Sequence, residues 1–136
     1  MVAIELVYQG ELHCKAVHTP SGTVLETDAP KDNMGKGESF SPTDLVATAL
    51  GACMLTIMGI AARNIGVDLN GTKVTVHKEM VASPTRRIGT LAVKIDFVAP
   101  ISPENQQKLE HAAMTCPVHK SMHPDVLMPI EFNWVN

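Results

Sequence analysis

The sequence predicts an α+β domain with its elements in the order βββ-α-ββ-α-α-β. Three observations point there. Short runs of alternating apolar residues, punctuated by Gly and Pro, occupy the first part of the chain and recur in its middle. Between them lies an uncharged apolar stretch, Leu45 to Ala62, entered through a helix start. Two more helix starts and one last alternating run follow. Strands gathered into blocks, rather than strictly alternating with helices, indicate α+β architecture.

Ile4, Leu6 and Tyr8 alternate, then Leu12, Cys14 and Ala16, then a short run around Val24. Gln9-Gly10 and Thr19-Pro20-Ser21-Gly22 have turn chemistry, so the three strands form an antiparallel meander. Ala29 to Phe40 (APKDNMGKGESF) is a polar loop with no period. Ser41-Pro42-Thr43-Asp44 then opens a helix. Ser41 caps it, Pro42 fits the first helical position, and the charge of Asp44 suits the N-terminal dipole. This helix is expected to run to about Asn64 and to end at Gly66. Apolar residues on nearly every face predict a long buried central helix, and the small Ala47, Ala49, Gly51 and Ala52 let another backbone approach closely.

Val74, Val76 and Met80 share a face that Lys78 interrupts, and Leu91, Val93, Ile95 and Phe97 alternate cleanly. Ser83-Pro84-Thr85 with Arg86 and Arg87 turns the chain between them. Ser102-Pro103-Glu104 starts a second helix whose apolar stripe is Leu109, Ala112 and Ala113. Cys116-Pro117 interrupts it, a further turn covers Val118 to His123, and Ile130, Phe132 and Trp134 finish as a strand. The expectation is antiparallel sheets wrapped around the central helix. Two small sheets cannot cover all sides of such a helix, so pairing of two copies is expected.

A chain of 136 residues with 45% hydrophobic content is expected to form one domain over 1–136. Its net charge of −3 gives no basic footprint, and Tyr8, Phe40, Phe97, Phe132 and Trp134 are too few to form base-stacking platforms. A nucleic-acid partner is therefore not expected. Strands on both sides of Leu45–Ala62 could not share a sheet across a bilayer, so no membrane span is expected there either. No secretory signal pattern opens the chain, which predicts a cytoplasmic location. In that setting three cysteines do not suggest a disulfide framework, and a pair among them would be catalytic or redox-sensing.

Cys53 lies well inside the long helix, where it is either a small core hydrophobe or a reactive thiol needing a neighbouring donor or cation. Cys116 stands between two helices, at an N-cap where free N–H groups and the dipole favour a thiolate, so it is expected to be the more readily alkylated of the two. Cys14 is expected in the core. His111, Cys116, His119 and His123 fall in one short stretch with soft and imidazole donors, but they lack the paired ligand clusters of structural zinc sites. Solvated helix-face histidines are the expectation.

Ser41-Pro42-Thr43-Asp44-Leu45, Ala49-Leu50-Gly51-Ala52-Cys53, and Ala112-Ala113 followed by Cys116-Pro117-Val118-His119-Lys120-Ser121 resemble the OsmC and organic hydroperoxide resistance family. The segment order fits along essentially the whole chain. The resemblance implies an intertwined homodimer with paired central helices and active sites at the interface. It implies that Cys53 attacks an organic hydroperoxide and that Cys116 resolves the sulfenic acid as a disulfide. A dithiol reductant then opens that bond, with no metal or organic cofactor. The chain departs from the peroxidase members in two places. Their N-terminal Arg has no counterpart, because no Arg precedes Arg63, and their helix-start Glu is replaced by Thr43. Lys15, Lys31 or Lys36 is then the candidate cation and Glu38 or Asp44 the candidate carboxylate, with His119 beside Cys116. Lys is a point charge and does not reproduce a bidentate Arg clamp. Three readings stay open: a thiol peroxidase for organic hydroperoxides, a redox-sensing or small-ligand-binding protein of the same fold, and a soluble dimer whose cysteines are structural.

Overall fold

A computed structural model describes all residues, Met1–Asn136. They group into two units, Met1–Val46 and Ala47–Asn136.

In the first unit, β1 (Ile4–Tyr8), β2 (His13–His18) and β3 (Thr23–Asp28) form an antiparallel sheet in that order. The first turn is longer than expected. Gly10, Glu11 and Leu12 all have positive φ, so β2 starts at His13 and Leu12 sits in the turn rather than on the strand face of Cys14. The second turn closes with the Gly22 N–H on the His18 carbonyl at 2.7 Å. Its position sets the register that places His13 opposite Asp28 and Cys14 opposite Thr27. Cys14 is half-buried, not a core residue. The loop after β3 folds back on itself. A Cβ at Gly35 would stand 1.8 Å from the Ala29 carbonyl oxygen, so only glycine fits there.

Helix α1 spans Pro42–Ile65 and starts in a reciprocal cap. The Asp44 N–H donates to Ser41 Oγ at 3.0 Å and the Ser41 N–H to Asp44 Oδ2 at 2.9 Å. Gly66, at φ 71°, ends it, and the Val67 N–H returns to the Ala62 carbonyl. Within one chain the burial is one-sided. Ala47, Leu50, Gly51, Met54, Met58 and Ala62 form one buried stripe, while Thr48, Ala49, Ala52, Thr56 and Ile60 are exposed. By length and composition this helix could cross a membrane, and 33% of its apolar window is buried. Gly51 also has a different neighbour from the one expected. A Cβ there would lie 3.2 Å from Val74 and from Val76, so it meets the sheet of its own chain.

That sheet contains β4 (Lys73–Val81), β5 (Arg87–Pro100) and β6 (Ile130–Val135) in order. β4 and β5 are antiparallel, with a register shift at Glu79/Met80 beside Gly89, where a Cβ would meet Val81 Cγ1 at 2.5 Å. β6 runs parallel to β5, so the expectation of antiparallel sheets holds for the first sheet and not for this one. The reason is the connection: α2 (Pro103–Met114) and α3 (Pro117–Ser121) carry the chain from β5 to β6, and a helical crossover returns it in the same direction. Leu91, Val93, Ile95 and Phe97 of β5 join Leu50, Met54, Met58, Leu109 and Ala113 in the core. Trp134 stacks on Phe97 and donates its indole N–H to Glu110 of α2 at 3.0 Å.

Candidate functional site

Cys53 and Cys116 are brought together. Cys53 is half-buried on α1, between the buried Leu50 and Met54 and the exposed Ala52 and Thr56. Cys116 is fully buried at the N-cap of α3, as the Cys-Pro sequence predicts, and its Sγ accepts the His119 N–H at 3.4 Å. Both thiols are free, and their side chains are close enough to interact electrostatically.

The expected acidity of Cys116 is overturned. Burial pushes its thiol up, and the neighbouring Cys53 side chain pushes further, against the backbone N–H groups of His119 and Val118 that favour the thiolate. The N-cap exists, yet desolvation of a buried sulfur outweighs it.

His119 contributes its backbone N–H, and its ring Nδ1 is buried without a hydrogen-bond partner. His111 and His123 are exposed, and no group of three or more His, Cys, Asp or Glu side chains could hold a metal. Asp44 accepts the Ser41 N–H in the α1 cap. Lys15 stands in β2 opposite Val7 and Glu26. Lys31 begins a short 3-10 turn. Lys36 and Glu38 line a cavity of about 570 Å³ in the first unit together with His13, Glu26, Asp28 and Ser39.

That cavity holds a cluster not anticipated from the sequence. His13 Nδ1 hydrogen-bonds Asp28 Oδ1, and its Nε2 faces Glu26 Oε1 at 3.3 Å. The other oxygen of Asp28 accepts the Glu38 N–H at 2.9 Å. Hydrogen bonds to Asp28 and then Glu26 raise the pKa of His13 above its ordinary 6.5. The His13 hydrogen bond in turn lowers Asp28 below its ordinary 3.8, helped by the Glu38 N–H and by the charge of Lys36. A signal for it was present: Glu26 and Asp28 share a strand face, and the turn at Pro20-Ser21 sets His13 opposite Asp28 and diagonal to Glu26.

A reduced dithiol carried by a long helix and the start of a short one, in an α+β frame, defines a class of cysteine-based proteins. The comparisons make it particular. The family model described as OsmC-like protein matches residues 35–131, and the chain belongs to that family. A Psychrobacter arcticus protein named for osmotic stress induction and a detoxification response is 45% identical, with 97% of this chain and 96% of that one covered and a TM-score of 0.92. An OsmC-like protein of Mycoplasma pneumoniae is 16% identical, with 100% and 98% covered and a TM-score of 0.84. A Legionella pneumophila organic hydroperoxide resistance protein is also 16% identical, with 98% and 96% covered and a TM-score of 0.79. The last two show the shared fold. No curated protein matches the chain.

Proposed function

We propose that the chain is a cytoplasmic thiol peroxidase that reduces organic hydroperoxides, with Cys53 as nucleophile and Cys116 as resolving thiol. The observation that carries this reading is the pair of free thiols, Cys53 half-buried and Cys116 buried and close enough to interact with it. The Cys53 thiolate attacks the outer peroxide oxygen, the O–O bond breaks, and the alkoxide takes a proton and leaves as an alcohol. The sulfenic acid left on Cys53 condenses with the Cys116 thiol, releasing water and forming a disulfide. A dithiol reductant then returns both thiols. Every step uses sulfur chemistry alone, without a metal or organic cofactor. Family membership and the detoxification name of the Psychrobacter arcticus relative support a redox or stress role.

The reading includes a homodimer. Thr48, Ala49, Ala52, Thr56 and Ile60 line one exposed side of α1, and Ile4, Leu6, Val7 and Tyr8 are exposed on β1. Apolar surface of this extent is ordinarily covered, and a second copy offers the matching surface. A redox-sensing or ligand-binding protein is the second reading, favoured by the absence of any Arg before Arg63 and by Thr43 at the helix start.

Steady-state turnover of an organic hydroperoxide with a dithiol reductant decides between them. The peroxidase reading expects saturable turnover that Cys53→Ser abolishes. Turnover no faster than that of an ordinary free thiol leaves the second reading. Lys15→Met, Lys36→Met, Glu38→Gln, Asp44→Asn and His119→Gln in the same assay identify the thiolate support by loss of kcat/KM.

A further inference from the structure

The chain turns between α1 and β4 with Asn70 and Gly71 at the centre of the turn. The Thr72 N–H donates to the Leu69 carbonyl at 2.9 Å, and Gly71 stands third with φ 88°, the type II arrangement that calls for glycine. The N–H of the third residue belongs to the central peptide and takes no part in the closing bond. The Asn70 backbone N–H is held by Asp68 Oδ1 at 2.8 Å, but its side-chain amide is exposed and unpaired. An amide carbon in solvent thus neighbours a free backbone nitrogen, with no Cβ on the glycine to obstruct their approach. The other internal asparagines differ. The N–H after Asn64 is tied into α1, and the N–H after Asn105 donates to the Ser102 carbonyl at 2.8 Å. Asn133 uses its side chain on Asp96, and Asn33 precedes the bulky Met34.

We propose that Asn70 is a site of spontaneous deamidation, where the exposed turn converts to aspartate and isoaspartate with water as the only co-reactant. The Gly71 nitrogen loses its proton and attacks Asn70 Cγ. The bond from Cγ to the side-chain nitrogen breaks, and that nitrogen takes up a proton and leaves as ammonia. The product is a cyclic imide joining the two residues. Water then opens the imide on either side. Breaking the bond from nitrogen to Cγ gives aspartate with a normal backbone. Breaking the bond from nitrogen to the original backbone carbonyl carbon gives isoaspartate, whose main chain runs through Cγ. Either product adds a negative charge next to Asp68. Isoaspartate also lengthens the main chain between Leu69 and Thr72, which opens the 2.9 Å bond that closes the turn. The site uses neither Cys53 nor Cys116 and stands apart from the proposed peroxidase chemistry.

The test incubates the folded full-length protein in mildly alkaline buffer and maps its tryptic peptides by mass spectrometry over time. Trypsin cuts after Arg63 and Lys73, so Asn64 and Asn70 share one peptide and the first serves as an internal control for the second. The same peptide, isolated and incubated alone, gives the rate without a fold. In the folded protein Asn70 is expected to convert at about the rate of the isolated peptide, into two products of equal mass that separate on chromatography as aspartate and isoaspartate. Asn33, Asn64, Asn105 and Asn133 should stay intact over the same period. Asn70→Gln should abolish the conversion, because the longer side chain no longer closes the five-membered imide. Asn70 that stays intact in the folded protein while the isolated peptide converts overturns the proposal. So does conversion of Asn105 or Asn133 at the rate of Asn70, which would place the chemistry in unfolded chains and not in this turn. Neither of these readouts depends on a variant.

Discussion

Leu91, Val93, Ile95 and Phe97 on β5 and Ile4, Leu6 and Tyr8 on β1 follow the same alternating pattern, but the first four are at most 5% exposed and the other three are at least 50% exposed. In the second unit the sheet, α1 and α2 contribute to one core, with Leu50, Met54, Met58 and Leu109 buried alongside β5. In the first unit β1 pairs with β2 at one edge, and its side chains meet little else. Alternation marks a face that has to be covered without saying what covers it. The open face of α1 repeats the point: one stripe of an apolar helix is used within the chain, and the opposite one is exposed.

The largest effect is expected in the covered sheet. Ile95→Ala should lower unfolding stability by about 2–5 kcal/mol in a denaturant titration, because it opens a cavity in a filled core. The equivalent truncation in the uncovered sheet, Leu6→Ala, separates two accounts of that face. If a second copy covers it, the midpoint falls and the loss deepens on dilution, since assembly and folding are then linked. If nothing covers it, the change stays within about 0.5 kcal/mol at every concentration. Gly51→Leu and Ala52→Leu divide the two sides of α1 in the same way. The first crowds Val74 and Val76 and should cost about 1–3 kcal/mol. The second should act on sedimentation, shifting a dimer toward monomer.

A smaller effect, tied to pH, is expected from the His13 cluster. An imidazole between two carboxylates satisfies both only when both nitrogens carry protons. With its pKa raised in the folded protein, the stabilisation from His13 is complete below its ordinary value of 6.5 and is lost as pH rises through the raised value. Asp28, lowered from 3.8, stabilises above that value and loses its contribution as pH falls through the lowered one. Protection of the Glu38 amide, held by Asp28, measured against its intrinsic exchange rate at each pH, should therefore be highest between about pH 4 and 6.5 and should fall above it. His13→Gln should remove the fall in protection at high pH, and a flat protection profile in the unmodified protein would contradict the assignment.

Local chemistry made much of this legible in the sequence. Caps at Ser41, Ser102 and Cys116 depend on a few adjacent residues and were read correctly, as was the order of elements. What depends on distant chain was not. The parallel pairing of β6 follows from where two helices deliver it, the neighbours of Gly51 from how α1 meets β4, and the pKa direction of Cys116 from burial that no cap motif records. Cys53 and Cys116 are 63 positions apart in numbering, and only the family resemblance suggested that they meet. The His13 cluster needed two strands in known register before its parts could be seen together.

The central claim is that Cys53 and Cys116 form one redox unit and Cys14 stands outside it. Peptide mapping under non-reducing conditions, after about one equivalent of an organic hydroperoxide is added to the reduced protein, tests it most directly. The account predicts a Cys53–Cys116 disulfide within one chain with Cys14 still free. In Cys116→Ser it predicts a sulfenic acid on Cys53 that a dimedone-type probe traps. A disulfide that includes Cys14, or no disulfide at all, would contradict it.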